Sequence, residues 1–401
     1  MLDGLFLIGV IVACFVAYNI GGATTGPAFG PAVGANVLSK TAAAVLMTVC
    51  FFAGAWTIGR RVVDTLGEDL VHDPTVFTME ASIVILFFIG GALLVGNLTG
   101  VPASTSMTAV GAIAGFALSV GELNLAITGE ILVWWILGPV VGFWLAVMIG
   151  RYLYPYLDRV IAIDRSEEPI FTIHSSGRLP RPGLHETATL REVIGAGVVV
   201  GIGCLMAFSS GTSNIANAIA PLVGSGALAM NPGILIGSAA VALGAFTIAR
   251  RTMETLGNDI TDLPLTAAII VAVVSSGIVI ALSAIGIPAS FVVIATFCIV
   301  GLGWGRATRT VTIIDAIRHD ALHVSVGGLG MDDTAPTVGN PNADRRPVQV
   351  EPIGEESTAD VPTTADLFDP TTTGRVVVMQ CVVPIIATVA SFLTFEFLWL
   401  W

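Results

Sequence analysis

Hydroxyl side chains cluster behind a proline in segment 101–108, which lies between long apolar stretches. Here Pro102 is followed by Ser104, Thr105 and Ser106. A proline fits the first turn of a helix, where the backbone N–H groups have no partner within the helix. Those N–H groups and the hydroxyls donate hydrogen bonds with only partial positive charge, so they bind an anion and also release it. The segment predicts an anion site, with an ordinary capped helix start at the membrane surface as the alternative.

Amide and small polar side chains mark a second segment, 211–221, which reads Gly-Thr-Ser-Asn-Ile-Ala-Asn-Ala-Ile-Ala-Pro. The spacing of Asn214 and Asn217 places both on one face of a helical turn. Their amide oxygens, together with the Ser213 hydroxyl, are suitable ligands for a cation. Packing between membrane helices is the alternative interpretation, because small residues and amides commonly join such helices.

Weaker copies of both segments occur elsewhere in the chain. Segment 21–31 is an earlier copy of the amide segment, and segment 287–290 repeats the start of the proline segment later in the chain. The candidate residues for an anion are Ser104, Thr105, Ser106 and Ser290. The candidates for a cation or a second anion are Thr24, Thr25, Ser213, Asn214 and Asn217.

Membrane helices have to position these residues. The chain has 401 residues and is 54% hydrophobic and only 11% charged, whereas soluble domains carry roughly 25% charged residues. A helix that crosses a bilayer needs about 20 apolar residues. Such runs are predicted at 2–20, 40–59, 81–98, 104–121, 127–149, 193–209, 231–249, 265–285, 286–304 and 376–400. The predicted fold class is all-α: a polytopic, multi-pass helical bundle of the plasma membrane.

The glycine-rich pieces 21–36 and 211–226 are predicted to be interrupted or re-entrant helices. Irregular backbone at membrane depth is tolerated only where it is buried in protein or lines a wet cavity. Such breaks would therefore lie at a functional site.

An internal repeat divides the chain into two related halves. Arg60-Arg61-Val62-Val63-Asp64-Thr65-Leu66-Gly67 matches Arg250-Arg251-Thr252-Met253-Glu254-Thr255-Leu256-Gly257, with the same spacing that relates segment 21–31 to segment 211–221. Five hydrophobic segments per half predict that the second half is inverted relative to the first, with the site near the midplane. The predicted organisation is a first repeat 1–150, a polar central loop 151–192, a second repeat 193–304, an acidic and largely disordered segment 305–374, and an added final helix 375–401.

The charge pattern excludes several classes of function. The net charge is −12, and the acidic loops argue against nucleic acid as a partner. Lys40 is the single lysine, which supports the hypothesis of a halophilic source. The sequence has no nucleotide-binding glycine loop, zinc signature or nucleophile elbow, so it predicts neither an enzyme nor an ATP-driven pump and no metal site beyond a monovalent cation.

Taken together, the two segments resemble the signatures of the PiT family of inorganic phosphate transporters, G-A-N-D-V-A-N-A and P-V-S-T-T-H. Gly211, Ala216 and Asn217 fit the first signature, with Pro221 in its usual continuation, and Pro102 and Ser104 fit the second. The resemblance implies a secondary transporter that works by alternating access, with phosphate at the Ser/Thr helix starts and sodium at the Asn/Asp segments. It also implies a homodimer.

The sequence departs from the family at three places. Asn214 and Thr24 stand where the signature has aspartate, and Met107 stands where it has histidine. Fewer carboxylates weaken a sodium site, so the coupling ion is either Na⁺ or H⁺. A site with fewer carboxylate acceptors also discriminates less between phosphate and sulfate, because sulfate has no proton to donate. A sulfate or other oxyanion permease is therefore one alternative, and a membrane oxyanion sensor that does not transport is another.

Overall fold

The structure is a computed structural model that describes residues 2–34, 37–99, 104–161, 171–174, 181–184, 190–249, 265–308 and 370–398. These residues are nearly all helical. The helices are α1 Leu2–Gly34, α2 Lys40–Gly54, α3 Arg60–Asp64, α4 Met79–Thr99, α5 Thr105–Ser119, α6 Leu125–Met148, α7 Tyr154–Ile161, α8 Leu190–Gly224, α9 Met230–Thr247, α10 Leu265–Ala284, α11 Phe291–Ala307 and α12 Pro370–Leu393. One antiparallel hairpin, β1 Phe171–His174 with β2 Arg181–Leu184, lies between α7 and α8.

Short turns of other helix types extend several of these helices. Among the described residues the π-helical turns are Ala55–Gly59, Thr65–Asp69, Ile149–Leu153 and Thr394–Leu398, and a 3₁₀ turn is Pro74–Val76. The first two π-helical turns join α2 and α3 into one continuous segment that ends at Asp69. Isolated π-turns inside helices are frequently found at functional sites.

The described helices include seven that are long and apolar enough to cross a membrane, and three shorter apolar helices accompany them. Large apolar side chains lie exposed on their outer faces, for example Ile136 on α6 and Leu243 on α9. Contiguous exposed apolar surface of this kind belongs in lipid rather than in water. The predicted all-α multi-pass membrane bundle is confirmed.

The predicted interruptions at 21–36 and 211–226 are wrong. α1 and α8 continue as helices to Gly34 and Gly224, with their prolines inside them. These glycines allow close contact between helices instead. Gly21 packs directly on the backbone of Val241, and Gly211 packs on that of Phe51. In a bundle without a hydrophobic driving force between helices, small residues let the two backbones approach.

The breaks occur between helices, at the tips of two helical hairpins. In the first hairpin, α4–α5, the chain that leads in and the chain that leads out meet at one surface: the His72 N–H donates to the Glu122 carbonyl, and the Asn124 N–H donates to Leu70. Both arms therefore enter and leave at the same side. α10 and α11 form the second hairpin, whose tip is residues 285–290.

Packing sorts the helix ends into two opposite surfaces. At the first surface, the start of α1 meets the end of α8 and the start of α4, since Gly9 lies against Leu222 and Met79. The end of α12 joins them through the Phe116–Phe395 ring contact. At the second surface, the residues after α1 meet the start of α8, and the ends of α6 and α11 lie together.

Helices of the two halves contact each other reciprocally. α1 packs on α9 while α2 packs on α8, and α6 packs on α11 while α12 packs on α5. The glycine contacts show the same reciprocal pattern. Gly54 lies against the Phe208 carbonyl, and Gly244, its equivalent in the second half, lies against the Tyr18 carbonyl. Such pairs are what a two-fold relation between the halves would produce.

The final helix has a counterpart in the first half. α6 and α12 have equal lengths, each is followed by a π-helical turn, and each contains an internal proline, Pro139 in α6 and Pro384 in α12. We therefore propose that α12 is the last segment of the second half rather than an addition to the bundle. Most of the acidic segment, 309–369, and the second arginine pair lie outside the described residues.

Candidate functional site

Two serines cap the helices that begin at the hairpin tips. The Ser104 hydroxyl accepts from the Met107 N–H at 3.3 Å at the start of α5, and the Ser290 hydroxyl accepts from Val293 at 3.4 Å at the start of α11. Both residues have extended backbone and both are buried. The helix starts predicted from the two proline segments are thus present. The N–H groups of the first turn of each helix have no acceptor within that helix.

Ser213, within α8, joins the first turn of α5 to the second tip. Its hydroxyl donates to the Ala289 carbonyl at 2.9 Å and accepts from the Ala289 N–H at 3.2 Å. Ser106 lies 3.1 Å from the Ser213 hydroxyl and also 3.1 Å from the Ala289 carbonyl. A set of buried hydrogen bonds therefore connects α5, α8 and the second tip.

Asn214 is the centre of a second set of hydrogen bonds. Its Oδ1 accepts from the Thr105 hydroxyl at 2.6 Å and from the Asn217 amide at 3.1 Å. Its Nδ2 donates to the Ser210 hydroxyl at 3.0 Å. The amide thus links α8 to the start of α5, and both lone pairs of its oxygen are used.

The cluster is electrically neutral in every contact described for it. Five of the nine predicted residues take part: Thr105, Ser106, Ser213, Asn214 and Asn217. Ser104 and Ser290 cap the adjoining helix starts. The Asn217 Oδ1 is buried and has no partner in the structure, so it is an acceptor that remains available. Within the described residues, no group of His, Cys, Asp or Glu is arranged to hold a metal ion.

Thr24 and Thr25 bond within α1 rather than to this cluster. Their hydroxyls donate to the carbonyls of Ile20 and Gly21, at 2.8 and 2.6 Å. Each hydroxyl oxygen keeps lone pairs that could face an ion. Their predicted role as ion ligands stays a prediction.

Sequence reasoning missed a pair of side-chain contacts between the long helices and the hairpins. The Asn97 amide donates to the Asn19 Oδ1 at 3.1 Å and so joins α4 to α1. The Thr212 hydroxyl lies 3.2 Å from that of Ser283, which joins α8 to α10. A signal for the first contact existed, because Asn19 and Asn97 are the repeat equivalents of Ser209 and Ser283.

A small cavity adjoins the second tip. It is lined on one side by Ser290 and Ala289 and on the other by Met107 and Trp135, and its volume is about 10 Å³. A cavity of this size holds roughly one water molecule. The Trp135 indole N–H donates to the Pro288 carbonyl at 2.8 Å, which fixes the tip against α6. This cavity is too small for an oxyanion in this conformation.

Comparisons with known proteins show the family and the fold of this chain. Residues 20–324 match the sequence model of a family described as the phosphate transporter family. A sulfate permease of Bacillus subtilis, CysP, is 30% identical over 301 residues, which cover 75% of this chain and 77% of that protein. A putative phosphate permease of Chlamydia muridarum is 26% identical, with 76% of this chain and 90% of that protein covered. Among solved structures, a sodium-dependent phosphate transporter shares the fold with a TM-score of 0.62 at 16% identity, covering 99% of this chain and 100% of that one.

Proposed function

The chain belongs to the phosphate transporter family, and on that premise we propose that it is a permease that carries inorganic phosphate across the plasma membrane. The observation that supports this most directly is the convergence of the first turn of α5 and the second hairpin tip on Ser213. Their helix starts and hydroxyls are donors aimed into a buried, neutral region. A bare anion in such a region would cost tens of kcal/mol without compensating donors.

Binding would replace hydrogen bonds that now hold the tips together. The hydroxyls of Ser106 and Ser213 both point at the Ala289 carbonyl, and the Thr105 hydroxyl points at Asn214. A hydroxyl rotates freely, so an oxyanion that arrives between the tips would receive these donors in place of the carbonyls. The contact between the first hairpin, α8 and the second hairpin would loosen as a result. Substrate binding and hairpin movement are linked in this way.

Alternating access would follow from the pairing of the two halves. We propose that the halves are inverted: each comprises two crossing helices, one re-entrant hairpin and one further crossing helix, an odd number of crossings. The reciprocal contacts of α1 with α9 and α2 with α8 support this arrangement. Exchanging the conformations of the halves would then open the Ser213 region to the opposite side.

The coupling ion is Na⁺ or H⁺, and the buried oxygens of α8 bear on the choice. Asn214 Oδ1 is already saturated, whereas Asn217 Oδ1 is a free acceptor. Thr24 and Thr25 would add oxygens from α1. Without a carboxylate in this set, a sodium ion would be held weakly, and we expect a small sodium effect.

Sulfate is the second candidate substrate, and one comparison favours it: the relative CysP is named as a sulfate permease. Phosphate at neutral pH carries a proton that needs an acceptor, whereas sulfate needs donors only. Asn217 Oδ1 is the acceptor that would favour phosphate. The predicted homodimer, implied by the family, does not bear on this choice.

Tracer uptake into vesicles containing the purified protein tests the function. We expect saturable ³²P-phosphate uptake that a tenfold excess of sulfate reduces less than a tenfold excess of unlabelled phosphate does. Stronger inhibition by sulfate would make sulfate the substrate. Tight oxyanion binding without any flux of either tracer would instead identify a sensor.

Loss of the first helix start should abolish transport. In Ser104→Ala with Thr105→Val, two donors are lost, and we expect kcat/KM for phosphate to fall by about a hundredfold or more. Ser119→Ala, at the far end of α5, is the matched control, because its hydroxyl bonds only to the Phe116 carbonyl. Size-exclusion profiles verify folding. Normal uptake by a well-folded double variant would remove these residues from the site.

A further inference from the structure

Three charged side chains lie exposed on a helical segment that spans the bundle. Arg61, Asp64 and Glu68 follow one another at helical spacing, which places them on one face. They belong to segment Lys40–Asp69, one of the seven long apolar segments. Charged residues within membrane spans almost always face the protein interior or a water-filled cavity.

Contacts with α8 show how deep Arg61 lies. The segment runs parallel to α8, because Gly54 packs on Phe208, Gly59 on Ile215 and Gly67 on Gly224. Arg61 comes just after Gly59 and is therefore level with the amide cluster of α8. It lies about 12 Å from the end of the segment at the first surface. Because the segment has 30 residues, about 45 Å of helix against a hydrocarbon core of about 30 Å, Arg61 lies inside the core, near its edge.

The Arg61 guanidinium is directed to the second hairpin. It donates a hydrogen bond to the carbonyl of Ala284, the last residue of α10. One turn further along, Thr65 lies against Gly286 of the tip, which has a φ of 85°. The carbonyl end of a helix attracts a cation. From Ala284 the tip continues to Ala289, the partner of Ser213.

Arg60 and Arg61 are exceptions in the distribution of basic residues. The basic residues at or near the ends of the other described helices belong to the second surface: Lys40, Arg151, Arg159, Arg191, Arg306 and Arg375. Cytoplasmic sides of membrane proteins carry the excess of Lys and Arg. The second surface is thus the cytoplasmic one, and the charged face of Arg61, Asp64 and Glu68 leads from the cluster to the outside.

We propose that Arg61, Asp64 and Glu68 line a water-filled vestibule that opens at the first surface and ends at the tip of the second hairpin, and that Arg61 captures the incoming anion there. The anion is the oxyanion of the proposed function, on which this identification rests. Asp64 and Glu68 keep the vestibule hydrated without making it strongly positive. Arg61 holds the tip carbonyl until an anion competes for its remaining N–H donors.

Cysteine labelling tests the vestibule without any transport measurement. In a variant whose native cysteines are all replaced by alanine, Asp64→Cys and Glu68→Cys are exposed to the membrane-impermeant reagent sulfonatoethyl methanethiosulfonate. We expect both to react. Val49→Cys is the matched control: it lies on the same segment and is 58% exposed, but on the apolar part of it, and it should not react.

The charge of the reagent tests the role of Arg61. For Asp64→Cys, the rate with the anionic reagent is divided by the rate with its cationic trimethylammonium analogue. Adding Arg61→Gln should lower this ratio about fivefold or more, because a charge at contact distance is worth about 1 kcal/mol in water. Arg306→Gln should not, since the Arg306 guanidinium lies at the second surface, stacked over the Tyr154 ring at 4.4 Å.

The outcomes separate this inference from the proposed function. An unreactive Asp64→Cys would overturn the vestibule, whether or not the protein transports. Reactive cysteines with a ratio that ignores Arg61→Gln would overturn anion capture by Arg61. If neither phosphate nor sulfate were transported, the proposed permease function would be wrong. The labelling results would still show whether the vestibule exists. In a transporting protein, Arg61→Gln should also raise the KM for phosphate about tenfold.

Discussion

At the scale of single residues, we propose that the neutrality of the amide cluster influences which ion accompanies the substrate. Asn214 accepts two hydrogen bonds and donates one, so it joins α5 to α8 without any bound cation. A carboxylate at this position would instead carry a buried negative charge that needs a counterion. We therefore propose that the side chain at position 214 influences the coupling ion.

Asn214→Asp should make transport dependent on sodium. We expect the ratio of initial phosphate uptake in sodium to that in potassium to lie within about twofold for the natural protein. In the variant it should rise to about tenfold or more, because one uncompensated buried charge is worth several kcal/mol. Asn214→Gln keeps a neutral amide and serves as the control. A natural protein that already required sodium would contradict this account.

The helix starts at the candidate site followed from sequence because each has a local cause, whereas the roles of the predicted site residues stay predictions. Pro-Ala-Ser predicts a helix start wherever it occurs, and Ser104 and Ser290 do cap helices. The direction of the hydrogen bonds did not follow. That Asn217 donates to Asn214, leaving its own oxygen free, depends on how close α5 approaches α8. No local pattern encodes that distance.

At the scale of elements, glycines decide how closely the long helices approach. Gly211 on α8 lies against the carbonyl of Phe51, so there is no room for a methyl group. Sequence alone suggested a helix break here, because glycine both weakens helices and permits close contact. The packing partner, which belongs to a distant part of the chain, settles which of the two applies.

Gly211→Ala should destabilise the bundle. Overpacking of this kind costs about 1–3 kcal/mol, since backbone rather than a flexible side chain must move. The measurement is the midpoint of thermal unfolding in detergent, followed by size exclusion. Gly197→Ala is the control on the same helix, where nothing lies within 4 Å of the added methyl group. Equal midpoints for the two variants would show that α2 and α8 can separate freely.

At the scale of the whole molecule, the segments that correspond between the two halves are separated by unequal numbers of residues. α1 and α2 correspond to α8 and α9 at one spacing, and the two hairpins correspond at a slightly shorter one. α6 and α12 correspond at a much longer spacing, because the acidic segment precedes α12. Because this segment separates α12 from the other helices of the second half, the last helix looked like an addition. Its packing on α5, where α6 packs on α11, supports the proposed correspondence.

Inversion of the halves makes a prediction about two equivalent positions. Ser39 is the N-cap of α2, and Ala229, its repeat equivalent, is the N-cap of α9. Parallel repeats would place these residues on the same side of the membrane, whereas an odd number of crossings per half places them on opposite sides. Ser39→Cys and Ala229→Cys, each without the native cysteines, should therefore react with an impermeant reagent from opposite faces. Because Lys40 follows Ser39 at the arginine-rich surface, Ala229→Cys should react in intact cells and Ser39→Cys only after permeabilisation. Reaction of both from one side would rule out inverted halves, and with them a site that opens alternately to the two faces.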